Sequence, residues 1–212
     1  MDPPNNSSIQ VQITGDPVRE EPAETVPAVL PADPVLSEIP ETGTAAWTLE
    51  GGGLTISGSG VLPEASLEKE YHDESVQSVT KVLIGNGIID LPRSAFGDYD
   101  SLISAAIEDG LAYIPPETFI GCTNLKQVNL GENVTFIGGG AFERCGLEEI
   151  AIPDTISFIT IGAFANCTDM EKISIPASVT EIGENAFENC EKLIIFTPKE
   201  SYAETYAREN GI

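Results

Sequence analysis

The strongest constraint on this chain is a repeat. Phe96, Phe119, Phe142, Phe164 and Phe187 follow one another at intervals of 23, 23, 22 and 23 residues. Other positions keep the same step. Five residues before each Phe stands Leu91, Ile114, Ile137, Ile159 or Ile182, and eight before stands Ile88, Leu111, Val134, Ile156 or Val179. Twelve before stands Ile84, Ile107, Leu130, Ile152 or Ile175, and fourteen before stands Val82, Ala105, Val128, Ile150 or Ile173. Seventeen before stands Val79, Leu102, Leu125, Leu147 or Met170. The one missing residue falls between Cys145 and Leu147. A period of this size belongs to solenoids, in which one unit cannot bury its apolar face alone and stacks on its neighbours.

Each unit divides in two. The run Met170-Glu-Lys-Ile173-Ser-Ile175-Pro176 alternates apolar and polar, which predicts a short strand that the proline ends. Strands repeated at a fixed period lie parallel, one per coil. The run Ile182-Gly-Glu-Asn-Ala-Phe-Glu-Asn-Cys190 has apolar residues at helix-like spacings and predicts a short helical turn opposite the strand. The crossovers should be right-handed, as parallel β-connections almost always are.

The pattern L-x-x-I-x-I-P-x-S-V-T-x-I-G-x-x-A-F-x-x-C, met by Met170–Cys190 with Met for the leading Leu, resembles the BspA-like class of leucine-rich repeats. The resemblance implies an α/β leucine-rich repeat solenoid with one parallel sheet, an N-terminal β-hairpin cap and a C-terminal helical cap. It also implies a secreted or cell-surface setting, and adhesion to host matrix proteins or other cells. It does not by itself imply an activity, because a fold does not fix a function.

The expected organisation is a disordered, acidic, Pro-rich linker over 1–43 and a repeat domain over 44–212. The latter comprises a cap at 44–78, five repeats at 79–192 and a second cap at 193–212. In the first cap, Trp47–Glu50, three glycines and Leu54–Ser57 read as a β-hairpin. A short helix is expected around Leu67–Tyr71. In the second, Ser201-Tyr-Ala-Glu204 is a capping box opening a helix. Residues 1–43 supply no repeat position and are expected to be removable with little loss of stability. Ile39-Pro-Glu-Thr-Gly43 looks like a sortase sorting pentapeptide, but no apolar segment and basic tail follow it, so it reads as a chance match.

Charge and residue spacing exclude several functions. A formal charge of −24 opposes nucleic acid and anionic lipid. No 18-residue apolar run exists for a membrane span. The N-terminus lacks the basic and apolar regions of a signal peptide, so a leader was removed or the chain is a fragment. Cys122, Cys145, Cys167 and Cys190 each follow a repeat Phe by three residues. They sample one repeat position four times, which predicts a column of buried free thiols with neither disulfides nor a metal site. His72 is the only histidine and has no nucleophile motif beside it. The glycine runs lack a phosphate-loop lysine. No catalytic residue, metal ligand or cofactor site is assigned, and the chain reads as a non-enzyme.

What remains is the outward face of the strands. Its expected positions run from Thr80, Lys81 and Leu83 through Ile103, Ser104 and Ala106 to Ile194, Ile195 and Thr197. The candidate binding residues are Lys81, Lys126, Gln127, Asn129, Glu148, Glu149, Glu171 and Lys172. Three cations against three anions make this face balanced in an acidic chain, and Lys126 with Lys172 are the cations on which binding should depend. The excess acid sits on the turns, as at Glu143 and Glu188. The reading is a binding module that docks a protein partner on this face; the alternative is a rigid spacer with no ligand of its own.

Overall fold

The structure is a computed structural model that describes residues 11–13, 43–63 and 76–212. The remainder of the expected linker, the helix expected at Leu67–Tyr71 and His72 lie outside the described residues. The strands are β1 (Val11–Ile13), β2 (Ala46–Glu50), β3 (Gly53–Ser57), β4 (Gly60–Val61), β5 (Lys81–Ile84), β6 (Ile88–Asp90), β7 (Ser104–Ile107) and β8 (Tyr113–Ile114). They continue as β9 (Gln127–Asn129), β10 (Phe136–Ile137), β11 (Glu149–Ala151), β12 (Phe158–Ile159), β13 (Lys172–Ser174), β14 (Glu181–Ile182) and β15 (Ile194–Thr197). Helix α1 (Tyr202–Glu209) closes the chain.

The strands stack in parallel, as the repeat requires. One ladder runs β3-β5-β7-β9 and continues beyond a break as β11-β13-β15. A second ladder, β8-β10-β12-β14, is built from two-residue strands and was not foreseen from the period. At the N-terminal end β2 pairs antiparallel with β3 through Gly51 and Gly52, both at positive φ. Two positive-φ residues make the hairpin turn that matches strand twist, which is why glycines stand there. At the other end Ser201 caps α1, its hydroxyl accepting from the Glu204 N–H at 3.2 Å. The Glu204 carboxylate accepts from the Glu200 N–H, one residue before the cap. Within the segment expected to be a linker, Val11–Ile13 forms a strand that pairs parallel with β15.

The core is a set of columns. Rings of Phe96, Phe119, Phe142, Phe164 and Phe187 stack with centroids 5.3–5.7 Å apart and planes within 20°. Tyr99 closes one end edge-on at 5.7 Å, and Tyr206 of α1 closes the other at 6.1 Å. The five phenylalanines and the inward aliphatic residues around them are buried. Offset stacking adds to the area each ring removes from water.

The segment opposite the strands is not helical. The residue two before each Phe has a left-handed backbone: Ser94, Glu117, Gly140, Gly162 and Asn185 lie at φ 54–62°. So does the residue two after it: Asp98, Gly121, Arg144, Asn166 and Asn189 lie at φ 56–74°. Two such residues within five prevent a helical turn from propagating. They also turn alternate N–H groups along the solenoid axis. The Phe119 N–H donates to the Ala141 carbonyl at 2.8 Å, Glu117 to Gly139 at 2.9 Å and Gly121 to Glu143 at 2.8 Å, each in the next coil. The turns are therefore a third set of inter-coil hydrogen bonds.

The short coil breaks the first ladder. Between β9 and β11 no strand pairing forms, and this is where the repeat lacks a residue. Gly146, beside the deletion, donates its N–H to the Cys122 carbonyl at 3.2 Å. A side chain there would place its Cβ 2.1 Å from the Thr123 carbonyl oxygen, so the shortened path needs glycine.

Truncating a ring in the middle of the ladder should cost more than truncating a half-buried one. Phe142→Ala should lower unfolding free energy by about 3–5 kcal/mol, whereas Phe136→Ala, partly exposed, should cost less than half of that. Urea denaturation of both variants checks the order.

Candidate binding face

Strand alternation decides which side chains reach this face. In register, one outward column is Gly53, Lys81, Ser104 and Gln127, resumed after the break by Glu149, Lys172 and Ile194. The next is Thr55, Leu83, Ala106 and Asn129, resumed by Ala151, Ser174 and Phe196. Thr80, Ile103, Lys126, Glu148 and Glu171 stand just before these strands. Lys81, Gln127, Asn129, Glu148, Glu149, Glu171 and Lys172 are exposed, and Lys126 is half-buried. All eight candidate residues thus lie on one side of the solenoid. The last coil departs from expectation: Ile195 and Thr197 are buried, and Ile194 with Phe196 face outward. The strand there begins one residue earlier than the 23-residue step places it, Ile194 and not Ile195 pairing with Lys172, which exchanges its two faces.

The break divides the face in two. The N-terminal half is a shallow depression of about 480 Å³ over Thr55, Lys81, Leu83, Ala106 and Gln127. Leu83 (37% exposed) and Ile103 (50% exposed) give it an apolar rim. The C-terminal half, about 710 Å³, lies over Lys126, Glu148, Glu149, Glu171, Lys172 and Phe196 and is far more polar. Both are open depressions.

Ion pairs cross the break where backbone pairing fails. Lys126 Nζ lies 3.0 Å from Glu148 and 3.6 Å from Asp169, and Lys192 Nζ lies 3.4 Å from the same Asp169. The hydrogen bond from Lys126 to Glu148 holds its ammonium above the ordinary lysine range, with Asp169 adding to the effect. Lys126 is therefore engaged within the chain. Lys81 and Lys172 have no carboxylate within 4.0 Å among the described residues. Among the described residues, Lys81 and Lys172 are thus the cations of this face without an ion-pair partner, whereas Lys126 has two.

A second surface feature escaped sequence reasoning. Six residues before the repeat Phe stand Asp90, Tyr113, Phe136, Phe158 and Glu181. On the second ladder these make a half-buried aromatic stripe, with Tyr113 and Phe136 stacked at 4.8 Å and the Tyr113 hydroxyl donating to Asp90 at 2.8 Å. The column keeps the period of the repeat, but Asp90 and Glu181 stand at its ends, so a period of apolar residues alone does not reveal it.

The four cysteines form one column along the core. All four are free and buried. Each donates to the Phe carbonyl of the preceding coil: Cys122 to Phe96 at 3.1 Å, Cys145 to Phe119 at 3.1 Å, Cys167 to Phe142 at 3.0 Å and Cys190 to Phe164 at 3.2 Å. Burial pushes Cys122 and Cys167 up to about 12 and Cys190 up to about 11, and raises Cys145 well above the usual thiol range. Among the described residues no three His, Cys, Asp or Glu side chains converge as metal ligands, and no helix is long and apolar enough to cross a membrane.

Comparison with known proteins agrees with this architecture. A family model described as a BspA type leucine rich repeat region matches six copies over residues 89–208. A leucine rich cell surface protein from Faecalibacterium prausnitzii is 27% identical, with a TM-score of 0.59 over 77% of this chain and 40% of that one. A leucine-rich repeat protein from Eubacterium ventriosum is 23% identical, with a TM-score of 0.61 over 71% of this chain and 41% of that one. A leucine rich repeat protein of T. pallidum is 23% identical, with a TM-score of 0.54 over 71% and 67% of the two chains. The chain thus spans less than half the length of the first two. A search of curated proteins gave no match.

The thiol column predicts a pH response. A thiol whose folded pKa is raised stabilises the fold fully below the unfolded value, near 9, and that stability is lost as pH rises through the folded value. Unfolding free energy should therefore fall from about pH 9 towards 11–12, the region of the shifted thiols. A Cys122→Ala/Cys167→Ala variant should show a shallower fall. Native-state thiol labelling at pH 8 should be slow, with four thiols reacting after denaturation.

Proposed function

This chain belongs to the BspA-type leucine-rich repeat family, and we propose that it is a surface-displayed or secreted binding module that holds a protein partner on its strand face. The observation that carries this reading is the combination of the exposed apolar side chains Leu83 and Ile103 with Lys81 and Lys172, two cations of this face that have no ion-pair partner among the described residues. Acidic side chains dominate elsewhere: Glu132, Asp154, Glu184 and Glu188 are exposed on the turns of a chain with a formal charge of −24. A partner approaching the turns meets like charge or excess acid, whereas one approaching the strands meets a near-neutral surface with apolar anchors. The face is also long and shallow, which suits a macromolecule better than a small molecule. A cell-surface setting draws support from the Faecalibacterium prausnitzii relative, which is described as a cell surface protein. Catalysis has no support from any convergent set of titratable groups among the described residues.

The test is a binding screen of the chain against immobilised extracellular-matrix and cell-surface proteins, followed by two charge reversals on any hit. Lys81→Glu/Lys172→Glu should weaken binding about tenfold or more, roughly 1.4 kcal/mol. Glu143→Lys/Glu188→Lys on the turns should leave it within about twofold. Equal losses from both pairs would indicate generic electrostatics. A screen without hits would favour a spacer role.

A further inference from the structure

The C-terminal end of a parallel ladder is a row of unpaired backbone groups, a template on which another extended segment can dock. In β15, Ile194 donates to Glu171 and Phe196 accepts from Ile175, so both spend their backbone groups on the β13 side. Backbone groups of alternate residues face opposite neighbours, which leaves Ile195 and Thr197 facing away from β13. β1 lies there, in the parallel register Val11–Ile195, Gln12–Phe196 and Ile13–Thr197. Each other neighbouring pair among β5, β7, β9, β11, β13 and β15 comes from coils consecutive in sequence; β1 comes from the opposite end of the chain.

The register has a pattern. Val11 stands in the column of Val82, Ala105, Val128, Ile150, Ile173 and Ile195, and Ile13 in that of Ile84, Ile107, Ile152, Ile175 and Thr197. Gln12 is in register with Phe196, which itself pairs with Ser174. The run Ile9-Gln-Val-Gln-Ile13 alternates as the repeat strands do, and a slip of one residue would exchange its apolar and polar positions. The covalent path permits the placement. β1 and β2 are eight strand spacings apart, about 38 Å at ~4.8 Å each. The 32 residues between Ile13 and Ala46 can extend to about 100 Å.

We propose that the outer edge of β15 is a docking site for an extended segment with alternating apolar residues, and that Val11–Ile13 of the same chain is its resident occupant. The segment acts as a removable eighth parallel strand, after β3, β5, β7, β9, β11, β13 and β15. It closes the sheet in cis, and any other extended chain that docks there must displace it. Three residues of parallel pairing make a short contact, so the tether and not the pairing keeps the occupant in place.

The test uses the full chain, a truncation lacking residues 1–15, and the full-length variant Val11→Asp/Ile13→Asp. Hydrogen–deuterium exchange of β15 is read beside that of β7 and β13, which report whether the solenoid is folded. In the full chain the amides of Ile195 and Thr197 should exchange slowly, independent of protein concentration. In both altered chains they should exchange at least tenfold faster while β7 and β13 stay protected. A synthetic peptide of residues 7–16 added to the truncation should restore protection, and the same peptide with both aspartates should not. Unchanged exchange at Ile195 and Thr197 in both altered chains overturns the proposal. So does protection in the full chain that disappears on dilution, because the occupant would then come from a second copy. Neither outcome bears on the strand-face reading, whose test reads partner binding through Lys81 and Lys172.

Discussion

The phenylalanine ladder is the interaction on which the rest depends. Each coil contributes one ring, and the rings stack within 5.7 Å along five coils, closed by Tyr99 and Tyr206. No coil could bury its own Phe, since the faces of the ring are covered by the coils above and below. The ladder also fixes the turns. Left-handed residues two before and two after each Phe direct N–H groups to the next coil, so that ring stacking and inter-coil hydrogen bonding share one backbone path. The cysteine column belongs to the same unit, each thiol reaching the Phe carbonyl of the coil before it. Small size and a weak donor suit cysteine to a place where a larger polar group would be left unsatisfied.

A single missing residue organises the candidate face. The 22-residue coil keeps its inward columns, because Ile150, Ile152 and Phe164 remain buried. It loses strand pairing instead, between β9 and β11. Core burial outweighs a few edge hydrogen bonds, which water can replace on an exposed face. The consequence is two half-faces of different chemistry, joined by the ion pairs of Lys126 with Glu148 and Asp169. Those pairs are exposed and add little stability. Their effect is to occupy Lys126, while Lys81 and Lys172 have no ion-pair partner among the described residues.

The two ends of the solenoid are treated differently. The N-terminal end is covered by a local hairpin, β2–β3, built from adjacent residues. The C-terminal end combines a local helix, α1, with a strand from the opposite end of the chain. A local cap forms with its coil, whereas a distant strand must close a loop around the whole domain. The distant element is therefore the one suited to exchange.

What the sequence determined by itself follows from periodicity. The columns of Phe, Ile, Leu and Cys, the parallel stacking, the hairpin at Trp47–Ser57 and the helix opened by Ser201 were all legible, because each is a local pattern or a local pattern repeated. The position of the deletion, beside Gly146, was legible too. Tertiary structure alone decided what that deletion did to the sheet, since strand pairing depends on atoms 22 or 23 residues apart. It decided that the turns are not helical: the left-handed positions mix Gly, Asn and Asp, which tolerate that backbone, with Ser, Glu and Arg, so neither column carries a uniform signal. It decided which face Ile195 and Phe196 take, as the start of β15 lies one residue from the repeat's own register. It alone placed Val11–Ile13 beside β15. Alternation marks a segment as able to join a sheet, but the vacant edge that receives it exists only once every coil has folded.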